Sequence, residues 1–78
     1  MIHNRIEINP NIMFGKPVVK GTRITVEHVL RKLAGGRTID EILVDHPHLT
    51  PDDIYATAAF AADHLADEEI IFANGQRL

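Results

Sequence analysis

Residues 25–53 read "TVEHVLRKLAGGRTIDEILVDHPHLTPDD" and contain three helix starts in succession. Thr25 stands before a run in which Val26, Val29, Leu30 and Leu33 recur at helical spacing, with Glu27, His28, Arg31 and Lys32 on the opposite side. Gly35-Gly36 ends that helix. Thr38 and Glu41 then have the spacing of a capping box, in which hydroxyl and carboxylate each satisfy a free amide at the helix start. Ile39, Ile42 and Leu43 supply its apolar stripe, and His46-Pro47 stops it. Thr50 caps a third helix, Pro51 fits its first turn, and Asp52 and Asp53 suit the positive end of its dipole. The pattern predicts that this helix runs to about Ala66. Its six alanines, Ala56, Ala58, Ala59, Ala61, Ala62 and Ala66, permit close approach, with Ile54, Tyr55, Phe60 and Leu65 as larger anchors.

Toward the N-terminus, "RIEI" (5–8) alternates as a half-buried strand does, "NPN" (9–11) turns the chain, and "PVV" (17–19) reads as a second strand. The segment "FGKPVVKGTRITV" (14–26) has the composition of a phosphate-cradling loop but not its order. Lys16 precedes a proline and Lys20 precedes Gly21, so neither lysine is placed to reach a nucleotide's outer phosphates. A strand, a glycine turn and a helix entry remain. Gly21 is expected at positive φ, and Arg23 is expected either to pair with an acid or to contact phosphate. Three helices joined by short turns fit a helix-turn-helix arrangement. The expected fold is mainly α: one domain, with residues 1–24 as a β element and glycine turn, 25–66 as a three-helix core, and 67–78 as a C-terminal tail.

A 78-residue chain has a core that rarely supplies more than about 3–5 kcal/mol without a staple. There is no cysteine, so disulfides and thiolate zinc sites are excluded, which suits a reducing cytoplasm. A partner chain is the expected staple, and a homodimer the expected state. The first residues carry charge and proline, with no secretory or membrane-spanning run. The net charge of −3 divides sharply: residues 1–37 hold seven basic and two acidic side chains, residues 38–78 one basic and nine acidic. If DNA is bound, Lys16, Lys20, Arg23, Arg31, Lys32 and Arg37 are the expected contacts, mostly to phosphates. Asp45, His46 and His48 offer a short metal-ligand pattern that Pro47 interrupts and no further ligand completes, so no metal or other cofactor is expected. No nucleophile, base and stabiliser set is evident, and no enzymatic activity is expected.

The segment from Gly15 to His64, with its Gly-Lys-Pro, Gly-Thr-Arg, Pro-x-Leu-Thr and Asp-Ile elements in order, resembles the bacterial and archaeal family known as domain of unknown function 433. The resemblance implies a homeodomain-like helix-turn-helix fold. It also implies a function, since members are often taken to be VapB-type antitoxins paired with a nuclease-like toxin of PIN-domain type. A protein-interaction or scaffolding module without DNA binding is the alternative. Pro51, Asp52 and Asp53 at the start of the third helix argue against base reading there, because carboxylates repel phosphates. On the antitoxin reading, the tail "DEEIIFANGQRL" (67–78) would dock the toxin: Ile70, Ile71 and Phe72 by apolar burial, and Arg77 as a guanidinium in the toxin's carboxylate cluster. Equally open is that these apolar residues fold back and cap the chain's own core.

Overall fold

The computed structural model describes residues 2–66 and 69–78; Asp67 and Glu68, part of the acidic run in the expected tail, lie outside them. The element order is β1 (Ile2–His3), β2 (Ile6–Glu7), β3 (Val18–Val19), α1 (Val26–Ala34), α2 (Ile39–Asp45), α3 (Pro51–Leu65) and β4 (Ile71–Phe72). The three helix starts fall where their caps place them. Thr25 Oγ1 accepts from the His28 amide, and Thr38 and Thr50 each close a reciprocal capping box, with Glu41 and Asp53 respectively.

β2 pairs antiparallel with β3, Ile6 opposite Val19, and Gly21 makes the following turn at φ +78°. Val18 then bridges Thr25, which ties the strand to the entry of α1. The second sheet differs from expectation. β1 runs parallel to β4, with Ile2 opposite Ile71 and His3 opposite Phe72, so the described part of the C-terminal segment is a strand and turn instead of a tail. A parallel pair needs a long crossover, and the three helices together provide it.

The core has two lobes that share α1 and α3. Val19, Val29, Ile42, Leu49 and Ile54 form the lobe under α2; Ile6, Val26, Phe60, Ile70 and Phe72 form the other. His3 closes the second lobe: its Nε2 lies 2.7 Å from Asp63 Oδ2, and its ring meets Phe60 edge-on at 5.7 Å. One turn is strained. Met13, Phe14 and Gly15 have φ of 48°, 60° and 79° in succession, and the Phe14 side chain is 95 % exposed. Left-handed backbone is costly for side chains with a Cβ.

Candidate functional site

The start of α3 is closed. Asp53 accepts the Thr50 amide at 2.9 Å and Arg5 Nη1 at 3.1 Å, while Arg5 Nη2 stands 3.7 Å from Asp52. Burial pushes the Asp53 carboxyl pKa up, but the Thr50 amide, the Arg5 guanidinium and the Thr50 hydroxyl outweigh it and hold the group below its ordinary value. Arg5 thus pairs with the carboxylates at the helix end that a helix-turn-helix would turn toward base edges, while Thr50, Pro51 and Asp52 stay exposed.

The six cations expected to meet DNA divide into two sets. Lys16 and Arg31 both bind Glu27, at 3.3 and 3.1 Å, and Arg37 binds Asp45 at 2.9 Å with Glu41 at 3.8 Å. Hydrogen bonds from Arg31 and then Lys16 lower the Glu27 pKa; the Thr38 amide does the same for Glu41. Lys20, Arg23 and Lys32 form no ion pair among the described residues. Arg23, exposed in the turn before α1, borders a pocket of about 220 Å³ together with Met13, Ile24, Thr25, His28 and His46. The His28 and His46 rings meet edge-on with centroids 5.6 Å apart, and His48 lies beyond His46 at 6.4 Å. Among the described residues, no group of three or more histidines and carboxylates is placed to hold a metal ion.

The residues expected to dock a toxin are split by the β1–β4 pair. Ile70 and Phe72 are each 1 % exposed, inside the second core lobe, so their side chains are not on the surface; their hydrophobicity is used in capping this chain's own core. Ile71 is half-buried opposite Ile2, and Arg77 is exposed and 2.9 Å from Glu69.

A larger concavity lies between α1 and α3. This groove, about 490 Å³, is lined by Val26, Leu30 and Ala34 from one helix and by Phe60, Ala61 and Leu65 from the other, with Glu27, Arg31 and His64 also contributing. Leu65 is 84 % exposed. The i, i+4 series Val26, Leu30, Ala34 and the pair Ala61, Leu65 mark it in the sequence, yet either set reads equally as core until the helices are placed. No helix among the described residues is long and apolar enough to cross a membrane.

No curated protein matches the chain. A solved structure of a DUF433 member protein from Anabaena variabilis is similar, with a TM-score of 0.76 and 26 % identity over 82 % of this chain. The present chain spans 63 % of that protein's length. The family described as "Protein of unknown function (DUF433)" matches residues 6–61, from the buried Ile6 of β2 through all of α1 and α2 and most of α3. With the greater part of its length matched by the family model, and with a member's structure similar over most of it, the chain belongs to the DUF433 family.

Proposed function

We propose that the protein works by binding another protein, as the antitoxin of a toxin–antitoxin pair, and that the groove between α1 and α3 receives an apolar helical segment of a nuclease-like toxin of PIN-domain type. The groove carries this reading. An exposed leucine beside a half-buried leucine and small residues, rimmed by charges of both signs, is the composition of a helix-docking surface. The buried Ile70 and Phe72 support moving the contact there from the C-terminal segment. The test is co-expression with the product of an adjoining reading frame that encodes an aspartate-rich nuclease-like protein. Leu65→Glu with Ala34→Glu, both at exposed positions, should leave the fold intact and abolish co-purification and rescue from toxicity. Retained capture by that variant refutes the groove as the contact.

A second reading, autoregulation by a homeodomain-like helix-turn-helix, is favoured by one observation: Lys20, Arg23 and Lys32 are free of ion pairs among the described residues, whereas the start of α3 presents the carboxylates of Asp52 and Asp53, which repel phosphate. DNA contact would then be phosphate-based and steeply salt-dependent. Lys20→Ala with Lys32→Ala should abolish a promoter-fragment shift; an unchanged shift excludes these residues as the contact.

A further inference from the structure

We propose that the small pocket bounded by Arg23, His28 and His46 binds a phosphate group. Its lining is mostly apolar, and the polar side chains among the residues that border it, those of Arg23, Thr25, His28 and His46, can each donate. Arg23 supplies a planar fork of N–H groups and has no ion-pair partner among the described residues. Each imidazole offers at least one N–H. Thr25 Oγ1 accepts the His28 amide at 3.0 Å, which leaves its own hydroxyl hydrogen free to donate.

Among the described residues, no carboxylate lines the pocket. Those next in sequence to the histidines are held by other cations: Glu27 by Lys16 and Arg31, and Asp45 by Arg37. An anion entering the pocket therefore meets donors without a competing acceptor charge. The donors come from three places in the fold, the turn before α1, the first turn of α1 and the end of α2. Donors carried on separate elements can engage a tetrahedral oxyanion from more than one side, which suits it better than a planar carboxylate.

The phosphate could be free or part of a DNA backbone, and the pocket does not depend on the protein being a repressor. The probe is inorganic phosphate at constant pH and ionic strength, followed by NMR of the histidine ring protons. Saturable shifts are expected for His28 and His46 and not for His64, with acetate at least tenfold weaker. Arg23→Ala, at an exposed position, should weaken phosphate binding tenfold or more with an unchanged fold by circular dichroism; Arg23→Lys should restore part of it. Absence of a saturable shift, equal response to acetate, or an unaffected Arg23→Ala variant overturns the proposal. A short duplex is then added as competitor. Displacement of phosphate upholds the pocket with DNA as the source; failure to displace upholds it for free phosphate and counts against the autoregulatory reading alone.

Discussion

The two ends of α3 are treated in opposite ways. At its N-terminus the polar side chains are tied locally: Thr50 and Asp53 close the first turn, and Arg5, from the turn between β1 and β2, pairs with Asp53 and stands near Asp52. In its C-terminal half one face is sealed by Phe72, Ile70 and the His3–Asp63 pair, while the adjoining face, with Ala61 and Leu65, borders an open groove. The same helix thus anchors the fold at one end and leaves apolar surface uncovered at the other. In a chain this small, uncovered apolar surface weakens an already thin core, which is why the open end carries the functional reading and the closed end does not.

Substitutions on the two faces should separate them most. Phe72→Ala removes a fully buried ring that meets Phe60 at 5.5 Å and should cost about 3–5 kcal/mol. Leu65→Ala, on the open face, should change stability by less than about 0.5 kcal/mol. Urea denaturation measures both, and similar losses would mean that the groove is part of the core. Asp53→Ala tests the closed end: losing the reciprocal cap and the acceptor for Arg5 should lower stability by about 1–3 kcal/mol. A loss no larger than that of an exposed carboxylate would show that Arg5 does not seal the helix. Phe14→Gly should raise stability by about 1 kcal/mol, since relief of left-handed strain exceeds the entropy cost of glycine. A fall in thermal midpoint would instead reveal a partner for the exposed ring.

The smallest effect is that of pH. Asp53 has a folded-state pKa below its ordinary 3.8, so its contribution is fully present above about pH 4 and is lost as pH falls through the depressed value. Glu27 and Glu41 act in the same direction. Between pH 6 and pH 3 the urea midpoint should fall, and Asp53→Asn should fall less steeply than the parent. Parallel curves would remove Asp53 from the account of the closed end.

What could be read in advance follows the range of the interaction. Thr25, Thr38 and Thr50 announce helix starts because the amides that they bind lie three residues away. Gly21 announces its turn because a local backbone geometry requires it. Arg5, counted only as one more basic residue, meets Asp53 from the far side of two strands and two helices. Ile70 and Phe72 show no helical period, and the side chains that bury them, Ile6, Val26 and Phe60, come from three separate elements. Nothing near them in sequence separates a core cap from a docking patch. The His28–His46 contact joins two helix ends in the same way, and the His46–His48 pattern alone suggests an incomplete metal site.

The parallel pairing of β1 with β4 sets an order of events during synthesis. The helix starts are set by nearby residues, but the lobe beneath Phe60 stays open until Phe72 arrives to lie beside His3. Closing so long a loop costs only slowly growing entropy, yet it cannot begin before its far strand has been made. Until residues 70–72 are in place, Ile6 and Phe60 lack part of their cover. That interval, during which partly built chains are prone to aggregate, closes when Phe72 emerges and docks.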